Sequence, residues 1–385
     1  MNCKKSDFLL DKTAAYLNCA YMSPQLKKVE EAGIKGIQRK RNPFRIPPEQ
    51  FFGETDELRE EFSRLINAEE PKRIAVVPAV SYGMANVANN LPISAGDQIL
   101  VAGEQFPSNV YPWRSLAKRK GAEVVTVSPP ADQKNRGKTW NERILEAITS
   151  KTKLVALGNI HWADGTLFDL KSIRTRTRET GAWLAVDGTQ SVGALPFDVQ
   201  EIQPDILVCA GYKWLMGPYS IGLAWYGPAL DEGNPIEENW INRYESENFA
   251  ALVNYNDNYQ PGALRYEVGE HSNFILVPMM LAAVKQLNEW GVENIQNYCR
   301  NLIAGSVANL REKGFIIEDE KHRSSHLFGV RLAKHHNMTA IKAALDTQNI
   351  IVSYRGDSIR VSPNVYNNRQ EIESFARILI SSANA

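Results

Sequence analysis

Lys213 stands where a lysine is least expected. It follows the apolar run Ile206-Leu207-Val208-Cys209-Ala210 through Gly211-Tyr212, and it precedes Trp214-Leu215-Met216-Gly217-Pro218. Lysine gives up water reluctantly, so an amine among apolar neighbours is either a snorkelling surface group or a functional one. A second segment decides for function. Twenty-six positions upstream, Trp183-Leu184-Ala185-Val186 runs into Asp187, followed by Gly188-Thr189-Gln190-Ser191. Two polar groups thus close two apolar strands at their carboxyl ends, the rim on which open α/β sheets bind ligands. An amine able to form a Schiff base, paired with a carboxylate able to protonate a ring nitrogen, suits chemistry in which a carbanion must be stabilised.

The ordered series Ala185-Val186-Asp187-Gly188-Thr189-Gln190-Ser191-Val192-Gly193, then Asp198, Pro204-Asp205-Ile206, Gly211-Tyr212-Lys213 and Gly217-Pro218 before Ile221-Gly222, resembles the class V aminotransferase family. These are fold-type-I pyridoxal-phosphate-dependent enzymes, whose relatives include cysteine desulfurases, kynureninase and isopenicillin N epimerase. Weaker matches run from Tyr16-Leu17-Asn18 to Arg360, so nearly the whole chain is covered. The resemblance implies pyridoxal 5'-phosphate as cofactor, held on Lys213, with Asp187 keeping its ring nitrogen protonated and Gln190 at its 3-hydroxyl. Lys213 would serve as nucleophile and then as the base that moves the substrate's α proton. Partial desolvation beside other cations lowers an amine's pKa into the range both tasks need.

A phosphate needs donors, which helix N-termini supply. After Ile74 to Val77 comes Pro78-Ala79-Val80-Ser81-Tyr82-Gly83-Met84-Ala85. In this turn the Ser81 hydroxyl and the Tyr82 and Gly83 amides can face an anion, or Ser81 is an ordinary N-cap. The turn is similar to the family's Thr-Thr-Glu-Gly, and Tyr212 occupies a position where relatives place a phosphate-binding Tyr or His. Two departures count against this: Ala210 replaces a common Ser, and Glu270 stands where a neighbouring subunit often contributes Thr, unless it points away or His271 offsets it. Phe106 is the expected aromatic cover for the cofactor ring, with core packing as its rival. His161 and Trp162 match the region lining the 3-hydroxyl side, and His161 reads equally well as a satisfied core residue. Arg360, in Ser358-Ile359-Arg360-Val361-Ser362-Pro363, matches the arginine that clamps the substrate's α-carboxylate, a task for a bidentate guanidinium. Tyr21, Arg243 and Arg355 are further groups expected at the entrance.

Between residues 70 and 227 short apolar runs alternate with helical stretches. The predicted strands are Ile74–Val77, Ile99–Ala102, Val124–Val127, Leu154–Leu157, Trp183–Val186, Ile206–Ala210 and Ile221–Tyr226, with crossover helices such as Val110–Lys120 and Trp140–Ile148. Such runs suit strands covered on both faces, giving an α/β doubly wound, mainly parallel seven-stranded sheet. After residue 270 the pattern changes to helices at Phe274–Trp290, Ile295–Lys313 and Thr339–Gln348, with strands at Phe328–Leu332, Ile350–Ser353 and Ser358–Val361. The expected division is a large domain over 18–270 and a small α+β C-terminal domain over 271–385, with segment 1–17 packing near the latter. The basic stretch Arg39 to Pro48 is either solvated surface or a flap that attracts carboxylates.

The 44 basic and 44 acidic residues balance, so no global field favours nucleic acid or an anionic membrane. No signal-like or membrane-spanning apolar run is present, and a cytoplasmic protein is expected. Cys3, Cys19, Cys209 and Cys299 are too scattered for a disulfide framework or a metal site. The expectation is a homodimeric aminotransferase acting on a small amino acid. Desulfuration through a persulfide needs a mobile cysteine just before the clamp arginine, and Ile350 to Ile359 contains none. A lyase or epimerase needs no thiol and stays open. A non-catalytic cofactor-binding regulator is less favoured, since the chain has neither spare length nor a basic face for a DNA-reading domain.

Overall fold

The computed structural model describes residues 1–131, 135–333 and 336–383. Seven strands form the main sheet: β1 (Ile74–Val77), β2 (Gln98–Ala102), β3 (Glu123–Val127), β4 (Thr152–Gly158), β5 (Trp183–Asp187), β6 (Ile206–Ala210) and β7 (Gly222–Tyr226). Their spatial order is β1-β7-β6-β5-β4-β2-β3, and all run parallel except β7, which is antiparallel to both neighbours. Alternate residues feed opposite faces: Val155, Leu184, Leu207 and Leu223 enter one core, while Leu154, Ala185, Val208 and Ala224 enter the other. Both faces being covered is why the strands read as continuous apolar runs rather than as alternation. Most strands extend a residue or two beyond their apolar stretch, because flanking groups such as Glu123 and Thr152 still pair in the ladder.

A three-stranded antiparallel sheet, β8 (Phe328–Arg331), β9 (Ser353–Arg355) and β10 (Ser358–Val361), lies in the order β9-β10-β8. Its apolar side packs with helices Val292–Glu312, Met338–Thr347 and Arg369–Ser382 around Ile303, Val330, Ile359, Ile372 and Phe375. The stretch Ile350 to Ser353 reads as one strand in the sequence, and the structure splits it. Ile350–Ile351 pairs in parallel with Ala15–Tyr16, whereas Ser353 begins the hairpin to β10. The N-terminal segment supplies the missing partner, which no local pattern announces. Leu17 is buried in the same core. The basic stretch after Arg39 lies on the surface, with Arg39 held by Glu54 and Phe44 largely exposed, and it does not line the cavity described below. Among the described residues, no helix is long and apolar enough to cross a membrane.

Candidate active site

The turns that follow β1, β2, β4, β5 and β6 converge at the carboxyl ends of these strands. They enclose a cavity of about 360 Å³, closed on one side by Tyr219, Ser220 and Ile221 ahead of β7. Lys213 and Asp187 both line it. The pairing of β5 with β6, Asp187 opposite Val208, sets the two strand ends side by side. Thr189 ties them together: its hydroxyl accepts from Ala210 N at 3.1 Å, and its own N–H donates to Asp187 Oδ1 at 3.0 Å.

Lys213 is 7 % exposed and its amine makes no hydrogen bond or ion pair among the described residues. Its Nζ lies 5.4 Å from the Phe106 ring centroid and 5.5 Å from that of Tyr212. Burial lowers its pKa to about 8; Asp187 opposes that shift, while Arg360 and Arg355 add to it. Asp187 moves the other way, raised by burial against the hydrogen bonds from Thr189 and the charge of Lys213. A free amine and a carboxylate thus share one small cavity.

Beyond β1 the helix Val80–Asn90 begins at the cavity with no side-chain cap. The sequence places the Tyr82 and Gly83 amides at an anion, and the structure differs. Both N–H groups donate to Ala79 O, at 3.1 and 3.4 Å, because the first turn tightens; the Tyr82 hydroxyl turns away to Glu237 at 2.9 Å. The N–H groups of Val80 and Ser81 are the ones left without partners among the described residues, and these two residues line the cavity. The hydroxyls of Ser81, Ser108, Tyr212 and Ser220 also line it, and none makes a hydrogen bond among the described residues.

Phe106, 38 % exposed, meets Trp162 edge to face at 5.5 Å, and both rings line the cavity. His161 does not. Its ring is buried against Trp140, with Nδ1 3.2 Å from Asp164 and Nε2 3.1 Å from Glu104 O, so it belongs to the packing beneath the site. Gln190 lines the cavity while its amide holds Ala20 O at 3.2 Å and accepts from Trp214 at 2.8 Å. Arg360 is 1 % exposed and stands against the Trp162 ring, 6.0 Å from its centroid, rather than on the cavity wall. It donates to Trp162 O at 2.9 Å and Ser353 Oγ at 3.3 Å. Of the three entrance groups named from the sequence, Arg355 lies against the same ring at 5.1 Å, Tyr21 is well exposed, and Arg243 is engaged by Glu238. Glu270 is exposed in a left-handed turn. His271 leaves it alone and pairs with the buried Glu267 at 3.4 Å, which Arg59 also holds.

Sequence reasoning passed over Asp164. This buried carboxylate joins His161, Arg136 at 3.2 Å and Arg331 of β8 at 2.6 Å, and His161 and Arg331 hold its pKa well below the usual carboxylate range against burial. It fixes the loop bearing Trp162 to the strand beside β10. His326 was also missed: fully buried, it contacts Gln190 O at 2.8 Å, and burial pushes its pKa down to about 4. Arg136 and Arg331 reach Asp164, and Gln190 reaches His326, from positions distant in sequence, and no local motif marks either residue.

The same architecture occurs in known proteins. The cysteine desulfurase CsdA from Escherichia coli superposes with a TM-score of 0.80 at 20 % identity, covering 98 % of this chain and 97 % of that one. A variant of C-DES with glycine covalently linked to its pyridoxal phosphate cofactor gives 0.86 at 19 % identity, covering 99 % and 100 %. At such identities these likenesses concern the fold. In sequence, the chain is 27 % identical over 319 residues to YcbU, an uncharacterized aminotransferase of Bacillus subtilis, covering 83 % of this chain and 81 % of the relative. It is 27 % identical over 286 residues to a cysteine desulfurase of Shigella sonnei, covering 73 % and 68 %. The strand-end lysine and aspartate, the seven-stranded sheet and these likenesses all agree with a match of residues 48–385 to the aminotransferase class-V model, and the chain belongs to that family.

Proposed function

We propose that this chain is a pyridoxal-phosphate-dependent aminotransferase acting on a small amino acid. The observation that carries the reading is the unbonded, depressed-pKa amine of Lys213 sharing one cavity with Asp187. The residues present fit the cofactor: the free Val80 and Ser81 amides and four uncommitted hydroxyls suit its phosphate, Phe106 suits its ring face, and Asp187 suits its ring nitrogen. Bound there, the cofactor supplies an aldehyde and an electron-withdrawing ring.

The protein's part is then positional and acid–base. Lys213, neutral for a useful fraction of the time near neutral pH, attacks as an amine and afterwards takes and returns the proton at the substrate's α carbon. Asp187, held by the Thr189 N–H, keeps a proton on the ring nitrogen through its negative charge. Arg360, behind Trp162 with its Nε–H buried and unpaired, would receive the α-carboxylate. Phe106 and Trp162 exclude water from one side.

The same groups would serve a lyase or an epimerase. Persulfide-forming desulfuration is the less supported alternative, since Cys19, Cys209 and Cys299 are buried with burial raising the pKa of each, and the exposed Cys3 lies beside Tyr298 rather than on the cavity wall. Mixing the holoprotein with individual amino acids in the absence of keto acid tests the choice. The correct amino acid should convert the cofactor's absorption to that of its amine form in one turnover, with an equivalent of keto acid. Recovery of the starting spectrum while sulfide, alanine or an inverted stereocentre accumulates would replace transamination by lyase or epimerase chemistry.

A further inference from the structure

Two guanidinium groups, Arg355 and Arg360, lie within 5.1 and 6.0 Å of the centroid of one indole, Trp162, which itself lines the cavity. Neither has a carboxylate partner among the described residues. Arg59, Arg136, Arg174 and Arg331 are paired with acids, and the buried Arg323 is instead satisfied by the carbonyls of Glu318 and Ser324. The Nε–H groups of Arg355 and Arg360 are both buried without a hydrogen-bond acceptor, as are those of Arg59, Arg174 and Arg265, but only here, among the described residues, do two such groups without an acid stand against one ring. Among the described residues Arg355 makes a single hydrogen bond, from Nη1 to the carbonyl of its neighbour Tyr354 at 2.7 Å. Asp357, two residues on, faces Arg331 instead. A buried donor without an acceptor is costly, and a guanidinium edge presenting Nε–H and Nη–H is shaped to take both oxygens of an oxyanion.

We infer that the amino acid taken at this site carries a second oxyanion on its side chain, with Arg360 receiving the α-carboxylate and Arg355 the side-chain group. This rests on the reading of the cavity as an amino-acid site, and it narrows the substrate to one with a terminal carboxylate, phosphonate, phosphate or sulfonate. The hairpin between β9 and β10 explains how both groups are delivered. Arg355 pairs with Ser358 at its tip and Arg360 with Ser353 at its base, so one rigid ribbon sets two cations against the same ring. An anionic side chain also answers the electrostatics, since Arg355 and Arg360 both act on the Lys213 amine and Asp187 is the acidic residue on the cavity wall.

Titration of the holoprotein with succinate, glutarate, 3-phosphonopropionate and butyrate, followed calorimetrically, tests this without turnover. The dianions should bind at least tenfold more tightly than butyrate. Arg355→Gln should erase that preference while leaving butyrate affinity within about twofold, Arg355→Lys should retain part of it, and Arg360→Gln should weaken every ligand. Tighter binding of the phosphonate than of succinate would assign a phosphorus oxyanion; the reverse order would assign a carboxylate. Equal binding of butyrate and succinate, or a preference unchanged in both Arg355 variants, would overturn the inference. Because binding is read directly, a failed turnover panel with an intact preference would count against transamination alone.

Discussion

At Lys213 burial and charge pull in opposite directions, and burial wins. A lysine amine in water titrates near 10.5, and this one is lowered to about 8 although Asp187 lies close enough to favour its protonated form. The neutral amine is therefore gained as pH rises through about 8, roughly two units earlier than for a surface lysine. Competitive acylation of the cofactor-free protein, with Lys213 followed by peptide mass mapping, should show reactivity rising through that midpoint. Asp187→Asn removes the group that raises the pKa and should move the midpoint lower. Arg360→Gln removes one that lowers it and should move the midpoint higher. A midpoint near 10.5 in the unaltered protein would mean the amine is solvated.

The elements matter because they fix Lys213 relative to Asp187, and Gly193 shows how tightly. In the segment after β5 it has φ +99°, and a β carbon there would stand 2.3 Å from the carbonyl oxygen of Trp214, the residue after Lys213. Gly181 also has positive φ, at +72°, but a β carbon there meets nothing within 4 Å. Gly181→Ala should therefore cost about 1–2 kcal/mol from left-handed backbone strain alone. Gly193→Ala must add displacement of Trp214 and should cost roughly 3 kcal/mol or more. Urea unfolding of both variants checks the difference, and equal losses would show that the Lys213 turn yields freely. The strands themselves were legible in the sequence because fully covered strands are short apolar runs between polar turns. The first turn of Val80–Asn90 was not. Which amides stay free there depends on Tyr82 and Gly83 both bonding to Ala79 O, a detail of local tightening that residue types do not encode.

For the whole molecule, Lys213 and Asp187 could be found early because each closes an apolar run. Their sharing of a cavity follows from a strand order that brings β5 beside β6. The surroundings of Arg360 were hidden for the opposite reason. Trp162, Asp164, Arg331 and Ser353 come from segments spread over nearly two hundred positions, and only the assembled fold sets them together. The two readings of His161 are separated on the same account, since its ring serves the Trp140 packing and Asp164 rather than the cavity. The identity of the amine that holds the cofactor is the decisive point. Borohydride reduction of the purified holoprotein, followed by proteolysis and mass mapping, should place the pyridoxyl group on Lys213, with about one per chain. A pyridoxyl group on any other lysine, or none bound at all, would contradict it.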